Sequence, residues 1–213
     1  MIKDPHEYRT KFDVKELDLI NKFNIKSILE ICSGNGKNIL FLSKKNYNVT
    51  GIESEDKYIN KSIELINKEN LSAKIIKHPI FNKKMPFDNE QFDFIYSYQY
   101  LNHNYKESIE FVFNEIYRIL KKEGLFSIKI SDIEQFNLKH IKEDLYEEKD
   151  KEFPQIKYKK VANQTFIKLE GEEKNIPHYA FYENELLNSL QKIGFKLINI
   201  RKIKWNIVAN FSK

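Results

Sequence analysis

Short apolar runs alternate with longer amphipathic segments along the chain up to about residue 131. The runs are typical of buried strands and read KSILEICS, YNVTGIE, LSAKIIK, FDFIYSY and LFSIKI. Apolar residues recur at helical spacing in four segments, 14–23, 37–46, 56–68 and 106–121. Strands that alternate with helices predict a parallel sheet with helices on both faces.

The pattern changes in residues 132–175, which hold the densest charge in the chain. We interpret them as an insertion and a candidate lid, partly helical at its start, with VANQTFIKLEGEE as a β-hairpin arm. The alternation then resumes with the helix YENELLNSLQKIG and two closing strands, FKLINIRKI and WNIVANFSK. We therefore predict one doubly wound α/β domain over residues 1–213, in which residues 1–24 form a leader helix.

The formal net charge of +5 is carried almost entirely by lysine. Because proteins that recognise nucleic acids usually favour arginine for bidentate contacts, this charge is only weak support for a nucleic-acid partner. Cys32 is the single cysteine, which excludes an intramolecular disulfide and a cysteine-based metal cluster. No His, Asp or Glu grouping shows metal-ligand spacing, so we predict no metal.

No apolar stretch approaches the ~20 residues that a membrane-spanning helix needs. The N-terminal segment MIKDPHEYRTKFDVK has no apolar core and is unlike a signal peptide. We expect a cytoplasmic protein without a membrane partner, either a monomer or a homodimer.

The sharpest chemical signal is the segment ILEICSGNGKN, in which a strand runs into Gly34 and Gly36 before a helix begins. Glycines at these places allow a tight turn and a close approach of the backbone to a bound nucleotide. Ile39 replaces the third glycine of the NAD-binding pattern. An NAD-dependent oxidoreductase is therefore the less favoured interpretation.

Two carboxylates flank this glycine loop. Glu30 lies at the end of the first strand, where it would repel a pyrophosphate but suit a ligand that carries an ammonium and a sulfonium. Glu53 ends the second strand, nineteen residues after Gly34, where an acidic residue can accept hydrogen bonds from both ribose hydroxyls. The pair predicts a cleft for a positively charged nucleoside.

ILEICSGNGKN followed by VTGIESE resembles the first two motifs of the class I S-adenosylmethionine (SAM)-dependent methyltransferases. MPFDNEQFDFIYSYQYLNH resembles their next signature, and EIYRILKKEGLFSIKI resembles the helix, turn and fifth strand that follow it. The likeness covers roughly residues 25–131 and is strongest to the small methyltransferases called type 11. It implies a Rossmann-like, mostly parallel seven-stranded sheet of order 3-2-1-4-5-7-6, with SAM as the cofactor.

The resemblance also implies which loops contact the cofactor. The cofactor-binding residues predicted at the strand ends are Glu30, Cys32, Ser33, Gly34, Gly36, Asn38, Glu53, Ser54, Phe81, Asn82, Ser97 and Tyr98. Cys32 stands where the family usually has glycine, and Phe81 stands where it usually has an adenine-binding aspartate, so Asn82 is expected to take part in adenine recognition. Tyr8 and Arg9 of the leader could fold over the site, with Arg9 paired to the cofactor's carboxylate, or belong to a free tail.

Residues beyond the fourth strand are expected to face the methyl acceptor. The predicted acceptor-binding residues are Gln99, Tyr100, His103, His178 and Tyr179. His103 is also the candidate catalytic base, because an imidazole can take a proton from the acceptor at neutral pH, although an ordinary structural histidine is the alternative.

We expect methyl transfer to an unidentified acceptor. No Asn-Pro-Pro-Tyr signature of nucleic-acid amino-methylating enzymes follows the fourth strand, which favours a small molecule as the acceptor. A methyltransferase-like fold that serves as a non-catalytic binding or regulatory protein is the main alternative.

Overall fold

The computed structural model describes residues 12, 14–134, 145–148, 156–171 and 173–213. Tyr8 and Arg9 lie outside the described residues. The helices are α1 (Val14–Lys22), α2 (Lys37–Ser43), α3 (Asp56–Lys68), α4 (Lys106–Ile119) and α5 (Glu183–Ile193). The strands are β1 (Ser27–Ile31), β2 (Asn48–Glu53), β3 (Lys74–Lys77), β4 (Phe92–Tyr98), β5 (Leu120–Ser131), β6 (Leu145–Glu148), β7 (Ile156–Ala162), β8 (Thr165–Lys168), β9 (Pro177–Tyr179), β10 (Lys196–Ile203) and β11 (Asn206–Ser212).

The main sheet has seven strands in the order β3-β2-β1-β4-β5-β11-β10. The first five strands are parallel to one another, and β11 runs antiparallel to both β5 and β10. When only the strands of this sheet are counted, the order is 3-2-1-4-5-7-6. The predicted α/β class and strand order are therefore confirmed.

Successive side chains of β4 enter two different hydrophobic cores. Phe94 packs with residues of α1, α2 and α3, whereas Ile95 packs with residues of α4 and α5. Side chains on a strand point alternately to the two faces of the sheet, so the two cores lie on opposite faces. Helices therefore cover both faces, as the alternating pattern predicts, and the carboxyl ends of the parallel strands meet at one edge.

At the opposite edge, Asp93 fixes the start of β4. Its Oδ2 accepts hydrogen bonds from the backbone amides of Lys26 and Ser27 at 3.1 and 2.8 Å, and Oδ1 contacts Lys121 Nζ at 2.7 Å. Partial burial would raise the pKa of Asp93, but these contacts outweigh it and lower the pKa to about 2. Asp93 thus ties β1 to β4 at the edge away from the crevice, a structural role.

The insertion between β5 and α5 forms a second sheet of four antiparallel strands in the order β6-β7-β8-β9. The predicted hairpin arm corresponds to β7 and β8, which are joined at Asn163 and Gln164. The sheet extends past the expected boundary at residue 175, because β9 pairs with β8. The helical prediction for the start of the insertion differs from the structure at β6, and its remaining residues, 135–144 and 149–155, lie outside the described part of the chain.

One carboxylate joins the insertion to the helices of the main domain. Glu185 on α5 accepts hydrogen bonds from Lys106 Nζ on α4 at 2.6 Å, from the Tyr179 hydroxyl on β9 at 2.7 Å, and from Gln164 Nε2 at 2.6 Å. Burial would raise the pKa of Glu185, but these bonds outweigh it and hold the pKa below its usual value. The ionised carboxylate therefore stabilises the folded arrangement.

None of the described helices combines the length and the apolar character that a bilayer crossing requires.

We expect Glu185→Gln to lower the free energy of unfolding by about 2 kcal/mol at pH 7, because charged hydrogen bonds to three elements are weakened. The pKa of Glu185 is lowered in the folded state, so its stabilising effect is present at neutral pH and is lost as the pH falls through the folded-state value. The difference between variant and wild type should narrow in acid. Urea unfolding at pH 7 and at pH 4 measures it. Glu107→Gln, in the first turn of α4, is the matched control and should change little; equal losses in both variants would contradict the assignment.

Candidate functional site

The loop between β1 and α2 turns through three residues with positive φ, namely Cys32 (58°), Gly34 (53°) and Gly36 (70°). Cys32 therefore adopts the left-handed backbone that glycine usually provides at this place. A Cβ added at Gly34 would meet no atom within 4 Å, whereas one added at Gly36 would lie 2.7 Å from Ser62 Oγ. The loop is open to the crevice at Gly34 and closed against α3 at Gly36.

Glu53 holds this loop against the end of β2. Its Oε2 accepts a hydrogen bond from the Gly34 amide at 2.8 Å, and its Oε1 accepts from the Ser54 and Glu55 amides at 2.8 and 3.2 Å. The residue is 1% exposed. Each carboxylate oxygen can accept about two hydrogen bonds, so Oε2 keeps the capacity for one more donor.

Glu30 lies on the same edge at the end of β1 and is also buried. Its Oε1 accepts a hydrogen bond from Asn38 Nδ2 at 2.9 Å, while Oε2 has no hydrogen-bond partner among the described residues. Tyr96 is its register partner on β4, with the hydroxyl close by but outside hydrogen-bonding geometry.

Desolvation dominates the ionisation of Glu30. Burial raises its pKa to about 8, against the opposing effect of the Asn38 hydrogen bond, and the negative charge of Glu53 adds to the rise. Two buried carboxylates at one sheet edge are poised to meet a cation, because a positive group would relieve both the desolvation and the mutual repulsion.

The loop is fastened to α3 by a residue that sequence reasoning missed. Ser62 Oγ donates a hydrogen bond to the Gly34 carbonyl at 2.9 Å. A second missed residue, Gly51 on β2, gives α2 room to pack, because a Cβ there would lie 2.4 Å from Ile39 Cδ1. In an NAD-binding loop, the third glycine lies on the helix and allows the helix to pack closely on the strand. Here the glycine lies on the strand instead, at Gly51, and the helix contributes Ile39. A small residue on the buried face of a helix or strand is the sequence signal for both.

The other predicted cofactor residues surround this edge at the ends of β1 to β4. Ser33 is buried, and its amide bonds to the Ile52 carbonyl at 3.2 Å. Ser97 is buried with its Oγ 3.4 Å from the Ile31 carbonyl.

The adenine-side candidates follow β3. Phe81 packs against the hydrophobic core on the face of the sheet that α4 covers. The side-chain oxygen of Asn82, Oδ1, accepts a hydrogen bond from Ser108 Oγ at 3.1 Å. Asn82 can still offer its amide NH₂ to a ligand.

The Tyr98 side chain, at the end of β4, packs among other aromatic side chains. Its ring lies 5.3 Å from that of Tyr96 and 6.1 Å from that of Phe12, and its hydroxyl is 3.1 Å from Ser127 Oγ. The side chain thus belongs to the aromatic layer on the Glu30 face of the sheet.

Histidines from distant parts of the chain meet beside the end of β4. The His103 ring follows β4, the His178 ring comes from β9, and their centroids are 4.4 Å apart. Glu173, from the β8–β9 connection, places its oxygens 3.8 Å from His103 Nε2 and 3.3 Å from His178 Nε2. The ring of Tyr100 lies 4.9 Å from that of His103. Folding therefore brings together three potential metal ligands. The spacing of these residues in the sequence predicts no metal site, because His103 lies far from Glu173 and His178 in the chain.

Gln99 and Tyr179, the remaining acceptor-side candidates, are engaged with the protein. Gln99 Nε2 donates to Asn206 Oδ1 at 3.2 Å. Tyr179 is buried against Phe181, and burial and the neighbouring Glu185 raise the pKa of its hydroxyl. Both side chains are therefore held in place by contacts within the protein.

Residues 28–124 match the family model described as a methyltransferase domain. A curated relative, the sterol 24-C-methyltransferase of Pneumocystis carinii (strain B80), is 33% identical over 113 residues. The aligned region is 52% of this chain but only 26% of the relative's length.

Solved structures of methyltransferases share the fold. A SAM-dependent methyltransferase from Clostridium acetobutylicum ATCC 824 aligns with a TM-score of 0.71 and 14% identity, over 95% of this chain and 92% of its own. The 1,6-didemethyltoxoflavin-N1-methyltransferase of Burkholderia thailandensis, solved with 1,6-didemethyltoxoflavin and S-adenosylhomocysteine bound, aligns with a TM-score of 0.68 and 13% identity, over 99% and 81%. The CcbJ methyltransferase of Streptomyces caelestis aligns with a TM-score of 0.71 and 14% identity, and the alignment covers 92% of this chain and 87% of the CcbJ chain.

The chain therefore has the fold of the class I SAM-dependent methyltransferases. Its residues 28–124 are similar to the methyltransferase domains that this family model describes.

We expect Glu30→Gln to stabilise the ligand-free protein at alkaline pH. The pKa of Glu30 is raised in the folded state to about 8, so the folded protein holds a proton that the unfolded chain releases from pH 4.5 upward, and stability falls as the pH rises through this window. Glutamine resembles the protonated acid and removes that loss. The variant should gain about 2 kcal/mol or more over wild type at pH 9 and little at pH 5.

Thermal unfolding at the two pH values measures the effect. Glu55→Gln, an exposed neighbour, serves as the control and should follow wild type at both. A Glu30→Gln variant less stable than wild type at pH 9 would show that the carboxyl is ionised and well paired in the folded protein.

Proposed function

We propose that this chain binds SAM across the carboxyl ends of β1, β2 and β4 and transfers its methyl group to a small-molecule acceptor. The observation that carries the proposal is the pair of buried carboxylates, Glu30 and Glu53, on either side of the open position at Gly34. The similarity of residues 28–124 to methyltransferase domains supports it. The Burkholderia thailandensis neighbour, solved with a small-molecule acceptor and S-adenosylhomocysteine, supports both the cofactor and the acceptor class.

Each part of the cofactor has a matching group in this arrangement. The Glu53 Oε2 atom keeps acceptor capacity for a ribose hydroxyl, and the partnerless Oε2 of Glu30 suits the ammonium of the methionyl part. The vacant space at Gly34 lets the cofactor approach the backbone closely. Phe81 and the amide NH₂ of Asn82 are the proposed adenine contacts at the end of β3.

When bound, the cofactor would itself supply the reactive group. The sulfonium makes the methyl carbon electrophilic, so the acceptor's lone pair forms the new bond as the carbon–sulfur bond breaks and its electrons return to sulfur. The protein's task is to align the acceptor with the methyl group and to exclude water, and alignment of this kind contributes several kcal/mol. Gln99, Tyr100 and Tyr179 would form the wall on the acceptor side, and the histidines beside them would contact the acceptor.

The first test is calorimetric titration with S-adenosylhomocysteine. We expect wild type to bind it and Gly34→Ala to bind at least about tenfold more weakly, because the new methyl group enters the space that the cofactor would fill. Gly171→Ala is the matched control, since Gly171 also has a positive φ and open space around its Cβ position. Both substitutions should cost about 1 kcal/mol of stability through backbone strain, but only Gly34→Ala should lose affinity.

The result also separates the alternatives. Binding of NADH in place of S-adenosylhomocysteine would overturn the proposal in favour of an oxidoreductase. Tight binding of S-adenosylhomocysteine together with no methyl transfer from labelled SAM to any candidate small molecule would favour a non-catalytic binding protein.

A second prediction concerns protons. With its pKa at about 8, Glu30 is mostly protonated at pH 7 in the free protein, and a bound ammonium should ionise it. Binding of S-adenosylhomocysteine at pH 7 should therefore release about one proton, and affinity should rise with pH towards 8. Titrations at pH 7 in buffers of different ionisation enthalpy count the protons. Glu30→Gln should release none; an unchanged proton count in this variant would remove Glu30 from the ammonium site.

A further inference from the structure

The side chains of His103, Glu173 and His178 form a compact cluster, here called the His–Glu–His cluster. One ligand-type atom from each lies within 4.8 Å of the others, and the three side chains are only 9%, 12% and 13% exposed. We propose that this cluster binds a divalent transition-metal ion through the Nε2 atoms of the two histidines and the Glu173 carboxylate.

The distances fit this set of ligands. Ligands about 2.1 Å from a tetrahedral ion lie about 3.4 Å from one another, so the nitrogen and oxygen atoms of a site must be this close. His178 Nε2 lies 3.3 Å from Glu173 Oε2, and His103 Nε2 lies 3.8 Å from the other carboxylate oxygen, Oε1. Both separations are close to the spacing of ligands around a tetrahedral ion.

Hydrogen bonding around His178 prepares its Nε2 for a metal. The Nδ1 atom lies 2.8 Å from the Ile176 carbonyl oxygen, which can only accept, so Nδ1 carries the proton. In the neutral ring Nε2 is then a bare acceptor, yet it faces the acceptor-only Glu173 carboxylate at 3.3 Å. Lys168 Nζ pairs with the same Oε2 atom, and a metal ion between Oε2 and Nε2 would bind both acceptors directly. A backbone carbonyl on the far nitrogen is also the usual outer contact of a metal-binding histidine.

Glu173 is held in a similar way. Lys168 Nζ forms a close ion pair with Glu173 Oε2, while the shorter approach to His103 is through Oε1. The lysine thus orients the carboxylate through one oxygen and leaves the other directed towards His103. Ligating carboxylates in metal sites are commonly held by an outer hydrogen bond of this kind.

The ligand types indicate the class of ion. Two imidazoles and one carboxylate suit Zn²⁺, Fe²⁺ or Co²⁺ better than Mg²⁺ or Ca²⁺, which prefer oxygen ligands. Three protein ligands leave at least one position for water or a substrate atom. If the proposed methyl transfer is correct, on which this step rests, that position lies on the acceptor side, so the acceptor would carry an oxygen able to coordinate the ion. His103 would then act through the ion and not as the base itself.

The test uses the full chain without a histidine tag, freed of metal by a chelator and dialysed. Co²⁺ is titrated while its visible ligand-field absorption is followed, and Zn²⁺ is then added to displace it. We expect one Co²⁺ per chain, displaced by Zn²⁺, and at least about tenfold weaker binding in Glu173→Gln, His178→Ala and His103→Ala. Glu170→Gln, an exposed carboxylate in the same connection, is the control and should bind as wild type does.

Folding and cofactor binding are followed separately. Circular dichroism and titration with S-adenosylhomocysteine in the presence of the chelator report on the fold and the cofactor site of each variant. Absence of stoichiometric Co²⁺ binding to wild type, or binding as tight as that of wild type in all three cluster variants, would overturn the metal site and leave a proton as the bridge. Metal binding without binding of S-adenosylhomocysteine would instead overturn the proposed function and leave the metal site standing.

Discussion

The arrangement of the crevice depends on one carboxylate that is bound by backbone amides. Glu53 ends β2, yet its strongest contact beyond its own turn is the amide of Gly34, in the loop after β1. That contact draws the loop across the strand ends and fixes the left-handed turn through Cys32 and Gly34. A buried carboxylate needs such donors, because desolvation without them would cost several kcal/mol. The same bonds thus satisfy the charge, shape the loop and leave an acidic surface facing the crevice.

The sheet carries this local arrangement to the rest of the molecule. Because Phe94 and Ile95 enter separate cores, β4 is fixed from both sides and its carboxyl end has little freedom to move. Glu30 on β1 is the register partner of Tyr96 on β4, and these are central strands of the sheet. The position of the Glu30 carboxyl group at the crevice is therefore fixed by the same packing that fixes β4. A ligand meets groups that are already in position, which reduces the entropic cost of binding.

Much of this could be predicted from the sequence because it depends on local patterns. Short apolar runs predict the strands of the main sheet, and apolar residues at helical spacing predict the helices that cover it. The chemistry of Gly34 and Glu53 follows from their places next to strand ends. The cluster of His103 with Glu173 could not be predicted, since 70 residues and a second sheet separate them in the chain. Gly51 was missed because the lack of a side chain there matters only when Ile39 packs over it.

The shared carboxylate of Glu185 limits how the insertion could be exchanged for that of another protein. The insertion is not an independent unit, because its residues Gln164 and Tyr179 donate hydrogen bonds to Glu185 on α5 of the main domain. A chimaera that receives another protein's insertion would keep its hydrophobic cores but leave this carboxylate short of donors. Grafts that carry over an amide and a phenol at the two attachment points would restore its hydrogen bonds.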